Sequence, residues 1–169
     1  MLTGLAPVVA AHTRLLVLGS FPGVASLKAQ QYYGHPRNHF WPLLFSIFKA
    51  ESATSRHVDC QGSYQIRSDW LLAQGVGLWD VYASCEREGS LDSQIRHAQV
   101  NDFSALRQRC PALQAIAHNG GESFKHARHT EALGLPVHKL PSTSPANASW
   151  PFERKLIAWR DVFQQHGLI

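Results

Sequence analysis

The sequence predicts a doubly wound α/β domain built on a parallel sheet of four strands. Four short apolar runs carry little charge, as parallel strands that are covered on both faces do. Segments with the apolar periodicity of helices lie between these runs, and strands that alternate with helices form parallel sheets. At 169 residues the chain has the length of one domain, residues 1–169, with its own hydrophobic core.

Each predicted strand is a short run of mostly apolar residues. The strands are residues 15–19, 75–81, 113–118 and 136–140. Ligands of doubly wound sheets bind at the carboxyl ends of the strands. We therefore expect the functional residues in the segments that follow the strands, which are residues 19–23, 79–81, 118–121 and 141–147.

The helices are predicted from apolar faces and from residues that start or stop a helix. Asn101 is a good N-cap for the second helix, and Gly134 is typical of a helix C-terminus. The last helix follows Pro151, and its apolar residues recur at spacings of four, three and four. The predicted helices are residues 40–48, 102–109, 122–133 and 152–165.

Composition narrows the class of protein. Apolar residues make up 44% of the chain and charged residues 17%, which is typical of a globular protein, and no apolar stretch approaches the roughly 20 residues of a membrane span. The N-terminus lacks the basic segment of a signal peptide. Three cysteines without a CxxC pair fit reduced thiols, so we expect a cytoplasmic protein. The net charge of +4 favours an anionic partner such as nucleic acid.

The loop after the first strand is long and rich in aromatic residues. Tyr33, next to Tyr32, is either a stacking platform or part of the core. Asn38 precedes a predicted helix, so its amide either caps that helix or orients a water molecule.

Asp80 ends a buried strand, where a carboxylate is costly unless it is paired. It either makes a structural hydrogen bond or accepts a ring N–H of a ligand, and Asn119 is a turn residue or a ligand contact.

Several common site types lack support in the sequence. The turn GSFPG, residues 19–23, matches neither of the usual phosphate-binding glycine patterns. His126 and His129 lie three residues apart without a local third ligand, so we expect no metal and no cofactor. No GxSxG motif supports a hydrolase triad. The small polar segment 141–147 either caps the last helix or binds phosphate oxygens.

These motifs together resemble the uracil-DNA glycosylase superfamily. GSFPG, then QYYGHPRNHFW and finally LPSTSPANAS are similar to its first and last motifs. GVGLWDVYASCEREGSLDSQI is similar to the hypoxanthine-DNA (deoxyinosine) glycosylase branch. The likeness extends from residue 15 to about residue 159. It implies a three-layer α/β sandwich around a central parallel four-stranded sheet, and an enzyme that flips a damaged base and cleaves its N-glycosidic bond without a metal.

The resemblance implies a role for each candidate residue. Asn38 occupies the position of the catalytic amide. A flipped base would stack on Phe21 or Tyr33, and an ionised Asp80 would accept N1–H of hypoxanthine, which adenine lacks. The substrate-binding candidates are Gly19, Ser20, Phe21, Pro22, Gly23, Tyr33, Asp80 and Asn119. The DNA-binding candidates are Ser142, Thr143, Ser144, Pro145 and Asn147.

Two positions depart from the family pattern. Phe21 stands where several relatives keep an Asp or Asn that handles the water, and Leu140 stands where uracil-specific relatives often have a His. Both argue against efficient removal of uracil. We expect a monomer that acts on double-stranded DNA containing a deaminated base. A nucleic-acid binder that lost the chemistry and a small-molecule enzyme on the same scaffold are the alternatives.

Overall fold

A computed structural model of the chain describes residues 1–51 and 63–169, so Cys60 lies outside the described residues. The strands are β1 (Leu2–Thr3), β2 (Leu15–Gly19), β3 (Val76–Asp80), β4 (Tyr82–Glu86), β5 (Arg96–Val100), β6 (Ala115–Asn119) and β7 (Val137–Leu140). The helices are α1 (Val24–Ala29), α2 (Phe40–Glu51), α3 (Tyr64–Ala73), α4 (Leu106–Arg109), α5 (Gly121–Phe124), α6 (Ala127–Glu131) and α7 (Phe152–Gln165).

The four predicted strands form one parallel sheet with the order β3-β2-β6-β7. The fold prediction is therefore confirmed. The register places Gly19 beside Asp80, and Asn119 beside Leu140. Because all four strands run in the same direction, their carboxyl ends meet at one edge of the sheet. Residues that are far apart in sequence come together at this edge.

Helices cover both faces of the sheet, which gives the three layers of a sandwich. Strand β2 is buried along its whole length, because its residues alternate between two hydrophobic clusters. Leu15 and Val17 belong to a first cluster with α2, α3 and α7. Leu16 and Leu18 belong to a second cluster that includes Leu106 of α4. A strand that is covered on both faces needs a continuous apolar run, which explains the LLVLG sequence.

Two predicted helices are shorter in the structure. In the segment predicted as residues 102–109, only Leu106–Arg109 is helical. The Asp102 carboxylate accepts a hydrogen bond from the Ser104 N–H (2.9 Å), which holds the first residues in a turn, and Asn101 donates to the Asp80 carbonyl instead of capping a helix. The segment predicted as residues 122–133 forms the two short helices α5 and α6.

A second, antiparallel sheet with the order β1-β4-β5 was not predicted. Its strands carry charged and polar residues, and within β4 and β5 only Tyr82 and Cys85 are buried. They lack the apolar run that identified the parallel strands. The loop between β4 and β5 matters for function because part of it reaches the edge of the parallel sheet where the strands end.

Two further observations concern cellular context. Cys85 and Cys110 are buried free thiols. Within residues 1–51 and 63–169, no helix is long and apolar enough to cross a membrane.

His118 of β6 is a buried histidine that the sheet holds between two hydroxyl groups. Its Nδ1 lies 2.8 Å from Ser123 Oγ, and its Nε2 lies 2.9 Å from Thr130 Oγ1. Ser123 Oγ also contacts the Leu18 carbonyl at 2.8 Å, so this network links α5 to the parallel sheet. Burial lowers the pKa of His118 to about 4, which keeps the imidazole neutral in the folded protein.

This histidine should make the protein less stable in acid. Since the unfolded imidazole has a pKa near 6.5, the unfolded chain binds the proton more readily, and stability falls as the pH drops from about 6.5 to about 4. We expect wild type to lose about 2 kcal/mol more unfolding free energy than His118→Gln between pH 7.5 and pH 4.5, measured by urea titration. The exposed His129→Gln should behave like wild type. Equal losses in wild type and His118→Gln would contradict this assignment.

Candidate active site

A cavity of about 1040 Å³ opens at the carboxyl ends of the parallel strands. Segments 19–23, 118–121 and 141–147 contribute to its wall, as does the end of β3. Every candidate residue from the sequence lines this cavity: Gly19, Ser20, Phe21, Pro22, Gly23, Tyr33, Asn38, Asp80, Asn119, Ser142, Thr143, Ser144, Pro145 and Asn147. The parallel sheet thus brings together residues that are more than 100 positions apart.

Asp80 is a buried carboxyl group with an unused acceptor. Asp80 is 4% exposed, and its Oδ2 has no hydrogen-bond partner among the described residues. Burial, aided by the nearby carboxyl of Asp92, raises the pKa of Asp80 to about 7, while Arg87 acts in the opposite direction. A buried, unpaired carboxyl on a cavity wall is costly for folding, which points to a ligand as the missing partner.

Gly19 allows the first strand to end against this carboxyl. A Cβ atom at position 19 would lie 2.5 Å from Asp80 Oδ1 and 3.3 Å from Tyr33 Oη. Any side chain here would displace the carboxyl or the strand. The first glycine of GSFPG is therefore explained by the close approach of the backbone to Asp80.

Asn119 holds two walls of the cavity together. Its Nδ2 donates to Tyr33 Oη (3.2 Å) and to Thr143 Oγ1 (3.0 Å), and its Oδ1 accepts from the Thr143 N–H (3.0 Å). Both ends of the amide are thus occupied by protein groups. The ring of Tyr33 stacks on Phe40, with centroids 4.1 Å apart. Asn119 consequently positions Tyr33 and the polar segment 141–147 relative to each other.

Asn38 caps a helix and keeps part of its amide free at the cavity. Its Oδ1 accepts a hydrogen bond from the Phe40 N–H (2.9 Å), so it caps the first turn of α2. It also lines the cavity, and no described residue pairs with its Nδ2. A carbonyl oxygen has two lone pairs, so the cap leaves one acceptor site and both amide protons for a water molecule.

Phe21 is less available than the sequence suggested. Its ring is buried in the second hydrophobic cluster, and the guanidinium of Arg87 lies 5.3 Å from the ring centroid. Tyr33 is only partly buried. Of these two candidates, Tyr33 is the better placed platform for a flat ligand.

The polar segment 141–147 is held in shape by its own hydrogen bonds. Ser142 Oγ accepts from the Ser144 N–H (3.1 Å), and Ser144 Oγ accepts from the Ala146 N–H (3.2 Å). Asn147 Nδ2 donates to the Ser142 carbonyl (3.1 Å). Because both serine hydroxyls act as acceptors here, their protons remain available for acceptors such as phosphate oxygens.

One wall of the cavity is formed by residues that the sequence did not identify as candidates. Ser90, Leu91, Asp92 and Ser93, from the loop between β4 and β5, line the cavity. Ser20 Oγ donates to Asp92 Oδ1 (2.7 Å). The sequence of this loop, EGSLDS, has the composition of a solvent-exposed turn, and the signal that could have found it is that it lies within the stretch similar to the hypoxanthine-DNA glycosylase branch. In residues 1–51 and 63–169, no group of three or more histidine, cysteine or acidic side chains is arranged to hold a metal ion.

Comparison with known proteins gives one consistent result. A family model described as the uracil DNA glycosylase superfamily matches residues 6–163. A hypoxanthine DNA glycosylase of Methanosarcina barkeri (strain Fusaro) is 36% identical over 162 residues, covering 96% of this chain and 98% of that protein. A hypoxanthine DNA glycosylase of Methanosarcina acetivorans is 35% identical over 153 residues, covering 90% and 92%.

A solved structure supports the same relationship. The solution NMR structure of a candidate uracil DNA glycosylase from Methanosarcina acetivorans superposes with a TM-score of 0.83 at 32% identity, and the match covers 97% of both chains.

The raised pKa of Asp80 predicts a stability effect that depends on pH. Because the folded pKa is raised above the unfolded value of 3.8, folding is penalised increasingly as the pH rises from about 4 to about 7. Asp80→Asn removes this penalty and keeps the shape. We therefore measure the unfolding free energy of both proteins by urea titration at pH 5 and pH 8. The value for Asp80→Asn minus the value for wild type should be higher at pH 8 than at pH 5 by on the order of 2 kcal/mol. A difference between variant and wild type that does not change with pH would contradict the buried, titrating carboxyl.

Proposed function

The chain belongs to the uracil DNA glycosylase superfamily, and on this premise we propose that it excises a deaminated base, preferably hypoxanthine, from double-stranded DNA and leaves an abasic site. It is a DNA glycosylase, a hydrolase that acts on N-glycosyl bonds. The observation that carries the substrate proposal is the unpaired Oδ2 of Asp80 on the wall of the cavity. A flipped base with a ring N–H would supply the missing partner.

Asp80 distinguishes hypoxanthine from adenine through one proton. Hypoxanthine carries hydrogen on N1, and adenine has a lone pair there, which an ionised carboxylate repels. A site built around a hydrogen bond rejects analogues that lack it, because the buried acceptor then stays unpaired. Uracil also carries a ring N–H between two carbonyls, so Asp80 alone does not exclude it. We attribute weaker uracil removal to Leu140, which stands where uracil-specific relatives often have a His, and to the size of the cavity.

Asn38 orients the attacking water at C1′ of the sugar. The water oxygen forms the new bond to C1′ as the C1′–N9 bond breaks, and the bonding electrons leave with the base as an anion. The proton that the water loses finally neutralises this anion, so the products are the free base and the abasic sugar. This anion needs hydrogen-bond donors, which the backbone N–H groups of segments 19–23 and 118–121 are placed to supply. No step requires a metal or another cofactor.

The hydroxyls of segment 141–147 bind the DNA backbone. Their free protons and the net charge of +4 support phosphate contacts. Arg37 and Lys139 add positive charge to the cavity lining. These contacts offset the cost of unstacking a base, which is a few kcal/mol and lowest for a mispaired base. We place this activity in the cytoplasm and assign it to a monomer.

A panel of labelled duplexes tests the function. Each duplex carries one inosine, uracil, xanthine or adenine at the same position, and the buffer contains EDTA because no metal is expected. Alkali-labile cleavage at inosine, slower at uracil and undetectable at adenine, is the expected result. Binding without cleavage of any duplex would instead favour a DNA-binding protein that has lost the chemistry, as the Phe21 departure allows. DNA binding that does not weaken as the salt concentration rises would argue against contacts between the protein and the DNA phosphates.

Asn38→Ala should reduce single-turnover excision of inosine by about 10²–10³-fold, because it removes a group that positions the water. DNA binding should remain within a few-fold of wild type. Asn38→Ser is the matched control, since serine preserves the helix cap but lacks the amide, so it should lose excision and keep the wild-type melting temperature. Excision by Asn38→Ala within tenfold of wild type, together with a lower melting temperature, would leave Asn38 with a capping role only.

Wild-type excision of inosine should increase from pH 6 to pH 8 with its midpoint near pH 7, because the ionised carboxylate is the stronger acceptor for N1–H and the pKa of Asp80 is about 7. Asp80→Asn should lose this pH step and retain part of the rate, since its amide oxygen is still an acceptor. Asp80→Leu should be slower on both inosine and uracil. Inosine excision by Asp80→Leu at the wild-type rate would assign Asp80 a structural role.

A further inference from the structure

Lys155 of α7 is a buried cation without an acidic partner. The residue is 1% exposed, yet no ion pair in the part of the chain that the structure describes includes it. Its ammonium Nζ lies 3.2 Å from Nδ1 of the His39 ring. Burial lowers the pKa of Lys155, as expected for a charge that is removed from water. A buried charge whose partner is neutral is costly for folding, which indicates that a further negative group belongs near it.

The contact with Lys155 selects one tautomer of the His39 ring. An ammonium group has three donors and no acceptor, so Nδ1 of His39 accepts the hydrogen bond and carries no proton. Burial and the neighbouring charge of Lys155 both lower the pKa of His39, which keeps the ring neutral near pH 7. The proton of the neutral ring therefore resides on Nε2. Lys155 thus makes Nε2 of His39 a hydrogen-bond donor.

His39 lies between the candidate catalytic amide and the polar segment 141–147. It follows Asn38 directly, and its backbone N–H donates to the Thr143 carbonyl (3.0 Å). Its ring packs edge-on against Phe152 at the start of α7, with centroids 5.3 Å apart. Nε2 makes no hydrogen bond to the described residues and is open to solvent. A free donor therefore lies beside the cavity and next to the segment that is proposed to bind phosphate.

We propose that His39 Nε2–H donates to a phosphate oxygen of the DNA strand that carries the flipped base, and that Lys155 is the positioning residue that holds this tautomer. The inference rests on the proposed base excision. It accounts for the buried ammonium, because the phosphate supplies the negative charge that Lys155 lacks. The serine hydroxyls of segment 141–147 can rotate, whereas the His39 donor is fixed by the contacts of its ring. A donor that is fixed in advance loses little conformational freedom when DNA binds.

Nitrogen-15 NMR reads the tautomer directly, because protonated and unprotonated ring nitrogens differ widely in chemical shift. In wild type at pH 7.5, His39 should carry its proton on Nε2. Lys155→Met keeps the length of the side chain and removes its charge, so the His39 signals should shift towards a mixture of both tautomers. Lys49→Met, which removes the charge of an exposed lysine of α2, is the matched control and should leave the signals unchanged. A proton on Nδ1 in wild type would overturn the proposal.

Neutral methylphosphonates identify the phosphate that His39 contacts. Each phosphate that flanks inosine is replaced singly, and binding is measured in the Asn38→Ala background, which slows excision. One replacement should weaken binding by about tenfold, and so should adding His39→Leu on the unmodified duplex. On that one modified duplex, His39→Leu should cost less than about twofold, because the charged acceptor is already gone. His39→Gln should keep most of the affinity, since its amide nitrogen replaces Nε2 as the donor.

The phosphate dependence separates positioning from a structural role of Lys155. Lys155→Met should lose affinity on the unmodified duplex and lose little on the duplex that lacks the His39 phosphate. Lys49→Met should not distinguish that duplex from the others. A loss for Lys155→Met that is equal on all duplexes would leave Lys155 with a structural role, and equal losses for His39→Leu would overturn the phosphate contact. If Lys155→Met does not fold, the wild-type NMR signals and the His39 variants still decide the proposal.

Excision of inosine by wild type tests the proposed function separately. If wild type excises no inosine, the proposed function fails, while a coupling between His39 and one phosphate would still support the contact. If excision is normal and no phosphate is coupled to His39, the contact is wrong.

Discussion

The contact between the backbone of Gly19 and the carboxyl of Asp80 is the constraint on which the rest of the site depends. The parallel register pairs the two residues, and the absence of a Cβ at Gly19 lets the strand end directly against Oδ1. The carboxyl is thereby enclosed on its strand side and keeps an unpaired Oδ2. The turn that follows Gly19 then carries Ser20 to Asp92 and fixes the β4–β5 loop. A single close approach between neighbouring strands thus influences both the carboxyl proposed to read the base and the opposite wall of the cavity.

The same carboxyl creates an electrostatic conflict that the reaction must resolve. Burial and Asp92 favour the neutral form of Asp80, while a ring N–H of a bound base favours the ionised form. In the proposed reaction the base becomes an anion close to this group when the glycosidic bond breaks, and like charges repel. The N–H groups at the strand ends are therefore needed to carry the developing charge. A pKa near 7 lets a modest change in surroundings alter the charge of Asp80, so binding and release of the base can be coupled to its protonation.

The parts of the molecule that could be predicted from sequence are those in which burial leaves an unambiguous pattern. The parallel strands are covered on both faces, so LLVLG and its counterparts read as continuous apolar runs. Strands β4 and β5 escaped prediction because β5 is mostly exposed and its polar sequence resembles a loop. Helix α4 was predicted too long, because the Asp102 carboxylate accepts a hydrogen bond from the Ser104 backbone and holds these residues in a turn. The periodicity of apolar residues does not show such a local hydrogen bond. The candidate residues were found at the cavity because strand ends converge, whereas the β4–β5 loop reaches it through tertiary hydrogen bonds that leave no local signature.

Asn119 shows how the site is kept rigid without using the groups that act on substrate. Both of its amide protons are donated, to Tyr33 and to Thr143, so it has no free donor for a base. By holding those two residues, it fixes the stacking platform relative to the segment proposed to bind phosphate. Asp80 and Asn38, in contrast, each retain unpaired polar atoms on the cavity wall. The Asn119 amide therefore belongs to the frame of the site, and the unpaired polar atoms of Asp80 and Asn38 are the ones proposed to bind the substrate, because those atoms gain a partner when the cavity is filled.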